Sequence, residues 1–304
     1  MKEYKDFRNI KSVSEAHKIL GLNKPKHPSI SLVQTRDIDW NEELFNKSYI
    51  WDFYMISLKF HSNPLLYGRN YYDYEEGTLV FTSPGQVITP TMSGDQGPNE
   101  GWILFIHADL FRHTPLGSKI GEYSFFSYAA NEGLHLSEEE KLKICSIVED
   151  IEKEYSQNLD RHSQTLLVSN LELLLNHCTR SYDRQFYTRS PHQKDIITVV
   201  DEFIINYIDS QKSRAHGIPT VKQCAEKVNL SPNYLSDLLK KEIGKSTQEL
   251  IHFHLIEKAK NLLLTSQDSV STIAYDLGFE YPQYFGNLFK KKTGMSPMEF
   301  RQLN

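Results

Sequence analysis

The chain has 304 residues, room for two domains of ordinary size, and it opens on charged and polar residues (Lys2, Glu3, Lys5, Asp6, Arg8) with no window near the roughly 18–20 apolar residues of a membrane span. Three cysteines, Cys145, Cys178 and Cys224, are an odd number without metal-type spacing, which speaks against a disulfide framework or a zinc site and for three buried thiols in a cytoplasmic protein. The net charge of −5 is unevenly spread: from Gln193 onward 14 Lys and Arg stand against 13 Asp and Glu, leaving 20 against 26 before it, a weak pointer to an anionic partner for the C-terminal part.

From about Ser29 to Ala108 the chain reads as short strands: Ile30–Val33, Tyr49–Lys59, Thr78–Thr82, Gln86–Pro90 and Gly101–His107. Turn-forming clusters separate them, such as Ser62-Asn63-Pro64 and Ser83-Pro84-Gly85, a pattern that predicts a small antiparallel barrel or sandwich. After Ser137 the period changes. Ser137 followed by three glutamates reads as a capped helix start, and Leu142, Cys145, Val148, Ile151 and Tyr155 recur at helical spacing. A second helix is predicted over about 162–182 through Leu166, Leu167, Leu171, Leu174, Leu175 and Cys178. Packing on the barrel and contact with a second subunit account equally well for this apolar hairpin.

The domains expected are therefore 1–182 and 195–304, with the polar, Pro191-containing stretch 183–194 as linker. A helix over Asp195–Asp209 opens the second domain. Further on, Pro232–Leu250 aligns with Pro282–Phe300 on a shift of 50 residues, with eight of nineteen positions identical. Each copy is preceded by the elements of a helix-turn-helix unit (about 221–242 and 270–292): a small residue at the helix crossing, a turn residue that tolerates left-handed geometry, and apolar residues locking the second helix. The first unit supplies Ala225, Asn229, Leu230, Leu235 and Leu238, with Ser231 as N-cap and Pro232 at the first helical position. The second supplies Ala274, Gly278, Phe279, Phe285 and Leu288, with a turn one residue longer. Between them Thr247–Leu264 predicts one helix of about 27 Å, near the roughly 34 Å pitch of duplex DNA.

The unit Ala225–Gly244, the connecting helix, the run Ile273–Phe279 and the closing stretch Phe289–Pro297 together resemble the DNA-binding domain of the AraC family of bacterial regulators, over about residues 195–304. The resemblance implies a sequence-specific transcription regulator in which a seven-helix domain follows a cupin-like β-barrel with a dimerising helical hairpin, an α+β multidomain chain. It also implies double-stranded DNA and RNA polymerase as partners, a homodimer and, in some members of the family but not all, a small-molecule effector, which no residue here identifies.

On the first recognition helix Asn233, Ser236, Asp237 and Lys240 are expected to face outward. Asn233 and Ser236 are candidates for base contact, while Asp237 can accept from a cytosine amino group or pair with Lys240 or Lys241. On the second, Gln283, Gly286 and Asn287 are the base-contact candidates. Lys240, Lys241, Lys290, Lys291 and Lys292 are expected at phosphates, or else as solvated helix ends. Tyr234 and Tyr284 occupy equivalent positions and read as half-buried packing residues in preference to base contacts.

The rival reading is a metal-dependent cupin enzyme fused to a helical binding domain. Within the predicted strands it finds only His61 and His107, far apart, while His252 and His254 lie on a helix and point to different faces. No nucleophile elbow, P-loop or dinucleotide fingerprint is present, so neither a catalytic residue nor a cofactor is expected. Trp51, Phe53, Tyr54, Tyr71, Tyr72 and Trp102 read more readily as barrel core than as a ligand pocket.

Overall fold

A computed structural model describes residues 7–45, 47–59, 77–88, 101–188, 190–210 and 212–302. The chain divides into two units, 1–188 and 189–304, and the division falls inside the stretch expected to be a linker.

In the first unit β1 (Phe7–Ile10) leads through α1 (Val13–Ile19) to β2 (Ile30–Gln34), the short α2 (Glu42–Phe45), β3 (Ser48–Trp51), β4 (Tyr54–Lys59), β5 (Thr78–Thr82), β6 (Val87–Ile88) and β7 (Gly101–Ile106). The short α3 (Pro115–Lys119), β8 (Leu134–His135), α4 (Glu138–Ser156) and α5 (Ser163–Thr188) complete it. Among the described residues the strands form two sheets, β1-β3-β6 and the antiparallel β2-β7-β4-β5-β8. Sheets and helices thus make this unit α+β. The β1–β3 pair is parallel, a departure from the all-antiparallel expectation. One predicted strand, Tyr49–Lys59, is two, because the chain bends at Asp52 and Phe53: Asp52 N–H donates to the Ile10 carbonyl at 2.9 Å while Phe53 turns into the core.

That core is apolar and aromatic, with Ile10, Val13, Val33, Tyr49, Trp51, Phe53, Met55 and Phe105 packed together and Trp51 stacked on Phe105. Trp51, Phe53 and Trp102 are buried core residues and Tyr54 is half-buried, whereas Tyr71, Tyr72 and His61 lie outside the described residues.

The two long helices form largely on the expected faces, with Leu142, Cys145 and Leu166 as the departures. On α4 the buried residues are Ile144, Ile147, Val148, Ile151 and Tyr155; Leu142 is exposed and Cys145 only half-buried, whereas Cys178 and Cys224 are buried. On α5 Leu166 and Leu173 are exposed while Leu167, Leu171, Leu174, Leu175 and Cys178 face inward. The stretch 183–194, expected to be the linker, is helical at its described residues. Its polar residues conceal an inner face. Gln185 is buried because its amide donates to the Gly133 carbonyl (3.2 Å) and accepts the His135 N–H (2.8 Å), and Tyr182 and Phe186 flank it in the core. Pro191 sits in the first turn of the next helix, where its missing N–H leaves nothing unsatisfied.

One ion pair fastens this region. Arg184 donates bidentately to Glu140, at 2.8 Å to each oxygen, and also to the His135 carbonyl at 2.6 Å. Burial pushes the Glu140 carboxyl up, but the Arg184 hydrogen bond, those from Ser137 and Ser181, and the Arg184 charge outweigh it and hold the group below its ordinary value of 4.5. The resulting stabilisation is complete above the ordinary glutamate range and disappears as pH falls through the depressed value. Arg184→Met is expected to destabilise the first unit by about 2 kcal/mol at neutral pH, with the difference shrinking as pH falls below the ordinary glutamate value of 4.5. Urea unfolding over a series of pH values checks this; a pH-independent difference would exclude the ion pair as its source.

The second unit is all helical: α6 (Ser190–Asp209), α7 (Lys212–His216), α8 (Val221–Lys227), α9 (Pro232–Ile243), α10 (Thr247–Thr265), α11 (Val270–Asp276), α12 (Pro282–Thr293) and α13 (Pro297–Arg301). Eight helices stand among the described residues where seven were expected; the addition is α7, five residues with no apolar period. Helix α10 is the central one, burying Leu250, Ile251, Leu255, Ile256, Ala259 and Leu263. His254 on α10 meets Asp201 on α6 at 2.6 Å, and Arg301 donates to the carbonyls of Leu263 (3.3 Å) and Asp268 (2.7 Å), which ties α13 to the far end of α10.

Candidate nucleic-acid interface

The two repeats fold alike. Helices α9 and α12 each have twelve residues, begin on a proline and end on a left-handed glycine, Gly244 (φ 69°) and Gly294 (φ 83°). Ser246 with Glu249, and Ser296 with Glu299, then form equivalent capping boxes that start α10 and α13.

In the first unit Ala225 is buried at the crossing, and Asn229 makes the turn at φ 56°, the one non-glycine residue with positive φ among those described. Ser231 caps α9, its hydroxyl accepting the Tyr234 N–H at 3.3 Å, while Leu235, Leu238 and Leu239 lock the helix inward. In the second unit Ala274 takes the crossing and Gly278 the turn, at φ 90°. Glycine is required there twice over, since a Cβ would lie 2.7–2.8 Å from backbone atoms of Ser213, Gly217 and Ile218. The inner residues of α12 are Phe285 and Phe289, with Phe279 and Phe300 against them; Leu288, expected in that role, is half-buried.

Both recognition helices present polar faces. Asn233, Lys240 and Lys241 are exposed on α9 and Asp237 is half-buried; Gln283, Asn287, Lys290 and Lys291 are exposed on α12. A Cβ added to Gly286 would meet nothing within 4 Å, so the surface beside it is open. Ser236 departs from the outward expectation: its hydroxyl donates to Thr247 Oγ1 at 3.1 Å, fastening α9 to the buried start of α10.

A groove of about 460 Å³ lies where the two helices end, lined by Lys240 from α9, Gln248, Glu249 and His252 from α10, and Leu288, Lys291 and Lys292 from α12. Cationic ends of both recognition helices therefore border one depression. Hydrogen bonds from Ser246, then the charges of Lys292 and Lys240, hold Glu249 below the usual carboxylate range. Burial, then Lys292 and, more weakly, Lys291, push His252 down, with Glu249 acting against them. Periodicity alone gave no sign of Gln248 and His252 in this setting.

The two equivalent tyrosines differ. Tyr234 is buried at 3% exposure whereas Tyr284 is 65% exposed, so neither is the half-buried packing residue expected. Tyr281, at the N-cap of α12, offers no side-chain acceptor to the helix; relative to the Ser231 cap this forgoes about 1 kcal/mol. Elsewhere, no group of three or more His, Cys, Asp or Glu arranged to hold a metal ion occurs among the described residues, and no described helix is long and apolar enough to cross a membrane.

The helix-turn-helix domain family matches residues 224–303. The chain is 38% identical over 81 residues to the arabinose operon regulatory protein of Salmonella typhimurium, covering 27% of this chain and 29% of that one. It is 31% identical over 112 residues to the xylose operon regulatory protein of Haemophilus influenzae, covering 37% and 29%. A longer match, 27% over 236 residues and covering 75% and 78%, joins it to the uncharacterized HTH-type transcriptional regulator YijO of Escherichia coli. The chain thus spans over three quarters of one relative and less than a third of the other two. Among solved structures it is similar to the C-terminal domain of AraT, a response regulator from Geobacillus stearothermophilus, at 34% identity over 34% of this chain and 85% of that one, with a TM-score of 0.30.

Proposed function

We propose, from a C-terminal domain that is an AraC-type helix-turn-helix domain, that this chain is a transcription regulator that binds double-stranded DNA in a sequence-specific manner. The observation that carries the reading is the pair of equally framed recognition helices, α9 and α12, joined by the nineteen-residue α10. At about 1.5 Å per residue α10 extends close to the duplex pitch, which suits docking in successive major-groove segments on one face. Asn233, Asp237, Gln283, Gly286 and Asn287 are the base-contact residues in this reading, and Lys240, Lys241, Lys290 and Lys291 hold phosphates. Ser236 then acts by positioning α9.

The domain reading that goes with it is a cupin-like sensor and dimerisation domain over 1–182, a connecting stretch over 183–194 and the DNA-binding domain over 195–304. Exposed Leu166 and Leu173, seven residues apart on α5, support a homodimer contact there. Transcription is altered by contact with RNA polymerase or by obstructing it, in the cytoplasm, and a small-molecule effector acts through the first domain. The relatives carry regulator names, which gives the alternative of a cupin enzyme no support.

The deciding experiment is selection of bound duplexes from a random-sequence pool by the full chain. Two short motifs about one helical turn apart are expected, and the whole pattern twice if the protein binds as a dimer. Asn233→Ala is expected to relax one base position within the first motif by about tenfold. A pool that stays random would refute the reading.

A further inference from the structure

Tyr281 and Tyr284 stand 52% and 65% exposed at the front of the second recognition helix, packed edge to face with ring centroids 5.6 Å apart. The duplication supplies an internal comparison. At the equivalent places of the first unit a serine caps the helix and the tyrosine ring is buried. The second copy gives up the cap and turns both rings to solvent, although its helix is already locked by Phe285 and Phe289. The two are joined locally: the Tyr284 N–H donates to the Tyr281 carbonyl at 3.0 Å, and the edge-to-face contact braces one ring with the other. Gln283 and Asn287 are exposed on the same helix, and the surface beside Gly286 is open.

In a major groove the apolar feature of the base edges is the C5-methyl group of thymine, while amide side chains such as Gln283 and Asn287 suit the N6 and N7 edge of adenine. Tyrosine offers an apolar body to the first and keeps its hydroxyl in water. On the DNA-binding reading above, we propose that Tyr284, braced by Tyr281, is a specificity-determining residue that reads a thymine methyl group in the second half-site. Amides and rings on one helix face then select A·T pairs together.

The test uses a duplex enriched from a random pool by the full chain, resynthesised with each thymine in turn replaced by deoxyuridine. That change removes one methyl group and preserves base pairing. Burying one such carbon is worth about fourfold in affinity, so the wild type is expected to weaken about fourfold at one or two thymines within a single half-site. Tyr284→Ala is expected to bind the parent duplex more weakly and to show no further loss at those thymines, whereas Tyr284→Phe behaves as the wild type. Tyr284 is exposed, and an unchanged unfolding midpoint confirms that the variant is folded. Equal methyl sensitivity in wild type and Tyr284→Ala at every thymine overturns the assignment and leaves DNA binding standing. Failure of the full chain to enrich any duplex overturns both.

Discussion

Gly278→Ala is expected to destabilise the C-terminal domain by about 3 kcal/mol, whereas Gly244→Ala loses only about 1. Both glycines have positive φ, at 90° and 69°, so both substitutions carry the steric penalty of a side chain in left-handed backbone, about 1–2 kcal/mol. They differ in what the new methyl group meets. At Gly244 nothing lies within 4 Å, but at Gly278 the Cβ would fall 2.7 Å from the Ser213 carbonyl oxygen and 2.8 Å from backbone atoms of Gly217 and Ile218. Backbone cannot rotate aside as a flexible side chain can, so the second turn must move away from the segment between α7 and α8. Denaturant unfolding of the two variants side by side measures the difference, and equal losses would show that the close approach does not exist in solution. Arg214, which meets Asp276 across the same contact at 3.4 Å, is two-thirds exposed and is expected to contribute little.

Replacing Lys240, Lys241, Lys290 and Lys291 together by glutamine is expected to weaken binding to all duplexes alike. Each lysine that neutralises a phosphate contributes about 0.9 to the slope of log affinity against log salt. Four of them contribute about 3.6, so between about 50 and 200 mM salt the wild type should lose roughly a hundredfold more affinity than the variant. Preference among sequences should survive, since phosphate contacts of the proposed kind carry no base information. Affinity measured over a salt series on a selected duplex and on a scrambled one reads both quantities. An unchanged slope would place the lysines in solvent, at helix ends where the dipole favours them in any case.

The second domain was legible in the sequence because duplication repeats each constraint. One glycine or asparagine is weak evidence for a turn, but Asn229 and Gly278 each stand four residues after a buried alanine and ahead of a proline-led helix, and that coincidence is specific. Which residues a helix buries was less legible. Alpha-helical spacing admits Leu142 and Cys145 as readily as Ile144 and Ile147, and the choice is made by what packs against α4, which no local pattern records. The same holds for Leu288 and Phe289. Ser236 lies on the polar arc of α9, and its inward hydrogen bond depends on where α10 begins. The strands β1 and β8 are four and two residues long, too short to show a period, and form because partners distant in the chain, β3 and β5, pair with them. Gln185 is polar and buried, a combination that reads as surface until its two backbone partners are known.

The two repeats have kept one backbone and changed what fills it. Aliphatic Leu235, Leu238 and Leu239 lock the first recognition helix, aromatic Phe285 and Phe289 the second. Their outer faces differ as well, with Asn233 and Asp237 on the first and Gln283, Gly286 and Asn287 on the second. On the proposed DNA-binding reading, two unlike readers in fixed order give a single chain a head and a tail on DNA. Its target has a direction, and reversing that target relative to a promoter presents the opposite end of the protein to whatever is bound next to it.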